Sequence, residues 1–292
     1  MKTRALAGPL VPRESWEARV EGVFRGAIAL AHPDGLWVTI LRSREDMEAR
    51  GIWPGPEAFD ALAGLVVPGG AVVFSGGDEP ILETESARIG AGVPGTWDPR
   101  PEVEAAATAF RAAGPSAAAE AAALIRAALS ADGYSEGLHG DGPFGRRFSE
   151  LRKDQGFPFN LVGFGPGTTP AGDDFLTGWI LGRILLGEGG DTLRKASGID
   201  GTRTTVPGRT LLFGAARGLF PAYLVRVARA LAQAAESGAG RSSGAAAAGG
   251  MDPTKSDRGA GEGPASEIRA AFSHGASSGR DALLGLLEGA EG

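Results

Sequence analysis

The sequence predicts an α+β protein: a small β barrel or sandwich over residues 1–100, then a mainly α-helical domain over 101–292. Three observations carry this. Runs rich in Val, Ile and Leu, broken by Gly and Pro, fill the first hundred residues. Strong helix formers dominate from Pro101 onward. A length of 292 residues with 42% hydrophobic content supports a sizeable core in one large or two ordinary domains.

Residues 20–31 and 36–41 read as strands. His32-Pro33-Asp34-Gly35 lies between them, and Pro-Asp-Gly presets a turn with a positive φ at glycine, so a hairpin is expected. Residues 65–75 carry two apolar runs around Pro68-Gly69-Gly70 and read as another strand pair. Past Pro101, EVEAAATAFRAA and AAAEAAALIRAALS are helical, separated by Gly114-Pro115. A further helix is expected over 170–187, with Thr169 as N-cap and Pro170 in the first helical position. Gly178 and Gly182 on it permit a close helix neighbour. Residues 209–235 read as helix with a break at Pro221. Residues 237–265 have almost no large apolar side chain and are expected to be a disordered loop.

Composition excludes several functions. A net charge of −6 argues against nucleic-acid and anionic-membrane binding, which favour a basic face. Without cysteine there are no disulfides, thiolate nucleophiles or Cys-ligated zinc. His32, His139 and His274 are scattered and lack the spacing of a zinc motif. The N-terminal residues lack the apolar run of a signal peptide, and FLTGWILGRILLG is too short to span a membrane. A soluble cytoplasmic protein is the expectation.

The densest chemistry is GFGPGTTPAGDD, residues 163–174. Gly163, Gly165 and Gly167 suit a backbone nest for an anion ahead of a helix, with Thr168, Thr169 and Gly172 beside it. It is no P-loop, because the Lys-Ser/Thr ending is missing, and no Rossmann fingerprint, because the β-α-β context is missing. Asp173 and Asp174 oppose a bare anion site. Mg²⁺ held by these acids would reconcile the two, since it commonly bridges one or two carboxylates to a phosphate. Adjacent helix residues point about 100° apart, so one acid is expected to be the ligand and the other a structural partner. The bland alternative is that both only complement the helix dipole.

GDDFLTG at 172–178 has an echo in GRDALLG at 279–285, both following hydroxyl-rich loops. Ser278 and Asp281 also have capping-box-like spacing. Two similar loop-helix starts would converge on one pocket, with Asp174 and Asp281 in related positions. Chance similarity in a Gly/Ala/Leu-rich chain competes with that reading. His274 is the acid/base candidate. Ser277, Ser278 and Gly279 would line the pocket, Arg280 would hold a carboxylate or phosphate, and Thr204 and Thr205 form a third polar loop.

LVGFGPGTTPAGDDFLTG resembles the loop of a bacterial domain-of-unknown-function family that includes the AllH-type subunit of oxamate carbamoyltransferase. Gly163, Gly165, Pro166, Gly167, Thr169, Pro170, Gly172, Asp173, Asp174 and Gly178 match its pattern, while Thr168 replaces a usual Leu and Ala171 a usual Ser. SHGASSGRDALLG resembles the closing element, and TRTTVPGRTLLFGAARGLF the middle loop and helix, without the serine often found near Pro207 or Gly208. The resemblance covers about 160–292, less the long Gly/Ala insertion.

It implies a subunit of a carbamoyltransferase-like enzyme that exchanges oxalurate and phosphate for oxamate and carbamoyl phosphate. The implied partners are a small anionic substrate and other protein subunits. Asp173, Asp174, His274 and Asp281 would be the catalytic side chains, with Asp173 and Asp174 the holders of any Mg²⁺. No organic cofactor is expected. Two other readings stay open: a non-catalytic anion-binding or scaffold subunit, and a Mg²⁺-dependent hydrolase.

Overall fold

The structure is a computed structural model. It describes residues 5–75, 81–84, 88–90, 95–244 and 263–291. The N-terminal part is one curled sheet, a half-barrel, and a mainly helical region follows it, as the sequence predicts. Its strands are β1 (Leu6–Ala7), β2 (Trp16–Val23), β3 (Ala27–Ala31), β4 (Trp37–Leu41), β5 (Gly51–Trp53), β6 (Ala71–Ser75), β7 (Ile81–Glu83), β8 (Arg88–Gly90) and β9 (Gly95–Thr96). The spatial order is β8-β7-β6-β2-β3-β4-β5-β1-β9. Pairing is antiparallel except for β4 with β5 and β1 with β9.

The β2 pattern shows why this region is a sheet. Trp16, Ala18 and Val20 are buried while Glu17, Arg19 and Glu21 face out, the period-two alternation of a strand with one covered face. The expected hairpin joins β3 to β4. Its turn uses Gly35 at φ +79, and Asp34 Oδ1 accepts from Leu36 N–H at 3.0 Å. Arg50, only 4% exposed, donates to Asp34 Oδ2 at 2.8 Å and to the Trp37 carbonyl at 2.8 Å, tying the turn to the strand beside it.

One strand expectation fails. Residues 65–67 form no strand: they follow helix α1 (Pro56–Ala63), and only 71–75 form a strand. Proline at the first helical position and Phe59 and Leu62 three apart were the signal for α1. These two side chains cover the same face of the sheet as Trp16, Val20 and Val72.

The remaining helices are α2 (Arg100–Ala113), α3 (Pro115–Asp132), α4 (Pro143–Leu151), α5 (Ala171–Leu185), α6 (Gly189–Ala196), α7 (Val206–Ala215), α8 (Ala222–Gly244), α9 (Pro264–Phe272) and α10 (Ser278–Glu291). Gly114, at φ +79, ends α2 and starts α3, as its Gly-Pro signal implies. The α2 residues Val103, Ala106, Ala107 and Phe110 form one buried stripe, spaced for a helix with one covered face. By contrast, every residue of 171–178 is buried, so α5 is an interior helix. It begins one residue later than expected, with Pro170 at the N-cap (ψ 140) and no side-chain cap from Thr169. Helix α8 continues through Gly244, so residues 237–244 of the segment expected to be disordered are helical, and Pro264 and Ala265 open α9. Residues 245–262 of that segment lie outside the described residues.

The sheet and helices meet through specific bonds. Trp37 N–H donates to Thr210 Oγ1 at 2.9 Å, and Ala222 N–H donates to the Met47 carbonyl at 2.8 Å. Leu41, Met47 and Ala222 form a small apolar cluster at the same seam.

Candidate functional site

Helices α5 and α10 pack closer than side chains normally allow. A Cβ on Gly178 would overlap the Ala282 carbonyl, and one on Gly285 would overlap the Phe175 carbonyl. One turn further on, Gly182 meets the Leu286 carbonyl and Gly289 meets the Trp179 carbonyl. The contacts advance together along both chains, so the helices are parallel with their N-terminal ends side by side. They are also reciprocal. Matching Gly172 to Gly279 matches Gly178 to Gly285 and Phe175 to Ala282, so each glycine touches the residue that matches the other glycine's partner. The echo seen in the sequence is therefore a two-fold-like helix crossing. Glycine is needed there because two backbones touch.

That crossing brings Asp174 and Asp281 together, each the fourth residue of its helix. Asp174 is 3% exposed and Asp281 1%. Serine hydroxyls accompany both carboxylates. The Ser278 hydroxyl bonds to Asp174 across the crossing. Ser135 Oγ donates to Asp281 Oδ1, and Ser277 also bonds to Asp281. In both residues Oδ2 is buried without a partner. Burial pushes Asp174 well above the usual carboxylate range, and the neighbouring charges of Asp281 and Asp173 add to this. Burial likewise raises Asp281, to about 6, against the serine bonds that lower it. Favourable helix dipoles contribute about 0.3–1 kcal/mol each. Desolvating a carboxylate costs several kcal/mol, so dipole complementation alone does not account for the pair.

Asp173 does something different. Its Oδ1 accepts from Gly163 N–H at 2.8 Å and its Oδ2 accepts from Thr204 Oγ1. It clasps the glycine loop to the 203–205 loop. Both its oxygens are engaged in these bonds. Among the described residues no three His, Asp or Glu gather into a metal-binding cluster.

Asp174 and Ser278 border a cleft of about 880 Å³ between the sheet and the helices. Thr168, Thr169, His274 and Gly275 line it from the helical side, and Trp37, Thr39 and Glu48 from the sheet. Tyr223 forms part of the wall, stacked on His274 with ring centroids 4.1 Å apart. His274 Nδ1 lies 3.7 Å from Asp46 Oδ1. Burial pushes the Tyr223 phenol well above its ordinary range, with Asp174, Asp281 and Glu48 adding to the effect. Burial raises Glu48 as well, against a hydrogen bond from Thr39. The lining is thus rich in acid, with Arg25 and Arg226 the cations. Arg226 already pairs with Glu267 at 3.2 Å.

Several expected residues have other tasks. Gly163, Gly165 and Gly167 all have positive φ and give the loop its shape, while Thr168 and Thr169 present it to the cleft. The Gly163 N–H is engaged by Asp173. Thr205 caps α7 by accepting from Gly208 N–H at 3.1 Å and donates to the Thr168 carbonyl at 2.7 Å. Gly172 and Gly279 allow close backbone approach to Leu161 and Ala271. Arg280 lies over the Phe272 ring at 5.3 Å.

Sequence reasoning missed Glu48, Asp46 and Tyr223. Lone acids and a lone tyrosine carry no pattern, and only the fold brings them beside His274. A second cleft, of about 830 Å³, lies between α2, α3 and the far ends of α5 and α10, away from every motif residue.

No curated protein and no solved structure matches the chain. One family model does: residues 161–253, which hold the glycine loop, the acid pair of α5 and the 203–205 loop, match the family described as oxamate carbamoyltransferase subunit AllH.

Proposed function

We propose that the chain is a subunit of a carbamoyltransferase-like enzyme. In this reading the cleft binds a carbamoyl or phosphate compound together with a small carboxylic acid of the oxamate or oxalurate type. The observation that carries it is the convergence of both loop-helix starts, with Asp174, Ser278 and His274, on one cleft, of which Thr168, Thr169 and Asp174 lie within the family match. The match supports the reaction class through its description, which names a subunit and so implies partner subunits.

Each residue then has a task. Thr168, Thr169 and Ser278 offer hydroxyl donors to substrate oxygens. The paired N-terminal ends of α5 and α10 favour negative charge developing in front of them. In the forward direction the amide nitrogen of oxamate forms a bond to the carbamoyl carbon. The bond from that carbon to the phosphate oxygen breaks, and the nitrogen loses a proton. His274, held between Tyr223 and Asp46, takes that proton and Asp174 polarises the substrate.

The test is thermal unfolding with phosphate, carbamoyl phosphate, oxamate and oxalurate, for the wild type and Asp174→Asn, alone and with the partner subunits added. A ligand at a hundredfold excess over its dissociation constant stabilises by about 2.7 kcal/mol. A shift from one phosphate compound or acid, lost in Asp174→Asn, is the expected result. No shift from any of the four, with or without partners, would contradict the reading.

A further inference from the structure

We propose that Asp174 and Asp281 form a divalent-cation site at the crossing of α5 and α10. Both acids are more than nine-tenths buried, and each directs one carboxylate oxygen to a place where the protein supplies no partner. Buried polar atoms left in this way are rare and call for a ligand. The ligand must bring positive charge, because the two carboxylates act on each other and the one basic charge acting on Asp281, that of Arg280, bonds to neither orphaned oxygen. Arg280, the nearest basic residue in sequence, lies over Phe272.

The donor chemistry selects the ion. All nearby donors are oxygens: the two carboxylates and the hydroxyls of Ser135, Ser277 and Ser278. The chain has no cysteine, and His274 is stacked on Tyr223. Oxygen-only donors favour Mg²⁺, Mn²⁺ or Ca²⁺ over zinc or copper. Mg²⁺ is commonly held by only one or two carboxylates, its other positions taken by water and substrate oxygens. Two acids therefore suffice without a third protein carboxylate. The Ser135 bond to Asp281 Oδ1 would hold that carboxylate in its orientation. Because Asp174 and Ser278 also border the cleft, the ion would stand at its floor and offset the acidic lining. The proposal does not depend on which substrate the cleft takes.

The experiment is a Mn²⁺ titration of the full chain at neutral pH, followed by electron paramagnetic resonance, with no substrate present. The wild type is expected to bind one Mn²⁺ that excess Mg²⁺ displaces. Asp281→Asn and, independently, Asp174→Asn are expected to weaken binding at least tenfold. Glu45→Gln, an exposed acid of the cleft lining away from the crossing, is expected to leave it unchanged. Circular dichroism of each variant without metal checks that it folds. Absence of stoichiometric binding by the wild type overturns the site, and so does undiminished binding in either folded Asn variant.

Discussion

The starts of α5 and α10 share a pattern and pack on each other, yet they differ at the position just before the shared acid. Where α5 has Asp173, α10 has Arg280. Asp173 clasps two loops through both of its oxygens, whereas Arg280 lies over an aromatic ring. Asp174 and Asp281, in contrast, occupy like positions and carry like orphaned oxygens. The shared glycines and acids thus build the crossing and its acid pair, and the unshared position before each acid handles local bracing. A doubled acid in a sequence need not be one ligand set. Here its two members face different neighbours and serve different ends.

The hardest way to break the symmetry is through the glycines. Gly178→Ala would push a methyl group into the Ala282 carbonyl and force two parallel helices apart. Overpacking of this kind costs about 1–3 kcal/mol and sometimes more. Backbone against backbone has little room to yield, so a loss of about 3 kcal/mol is expected in chemical denaturation. Gly190→Ala in α6 is the control, since nothing lies within 4 Å of its added methyl. It should be neutral or stabilising by up to about 1 kcal/mol. Equal losses at both positions would refute the close crossing.

A milder contrast separates the neighbouring acids. Asp173→Ala strands the Gly163 N–H and the Thr204 hydroxyl, at a cost of about 1–3 kcal/mol. Asp174→Asn, measured in metal-free buffer, removes a buried charge with an unpartnered oxygen and keeps the shape. Its melting temperature should equal or exceed that of the wild type. The reverse order of the two variants would mean that the bracing and cleft-facing roles have been exchanged.

How far the sequence reaches follows from the same residues. The β-to-helix change, the β3–β4 hairpin and the Gly114-Pro115 junction were legible because turn chemistry and periodicity are local. The repeat at 172–178 and 279–285 was legible too, and glycine spacing announced a close neighbour. What it could not announce was the identity of that neighbour, because helix pairing is a long-range fact. Helices α1, α4 and α6 were overlooked. Each is short, and the glycines and proline around them read as loop. The run at 237–244 looked too poor in apolar residues for order, but it continues a helix already anchored by Tyr223, Leu224 and Val227. The sheet's share of the cleft was illegible for a simpler reason. Glu48 and Asp46 lie more than a hundred residues from Asp174, with no motif of their own.

The most direct test of the central claim, that two distant helix starts make one site, is a double-mutant cycle. Asp174→Asn, Asp281→Asn and the double variant would be compared with the wild type by denaturant unfolding at neutral pH without metal. If the carboxylates share one buried spot, removing either relieves the other, and the two effects fall short of adding by more than about 0.5 kcal/mol. Additivity within about 0.3 kcal/mol would contradict the account, because it would mean that the two acids do not act on each other.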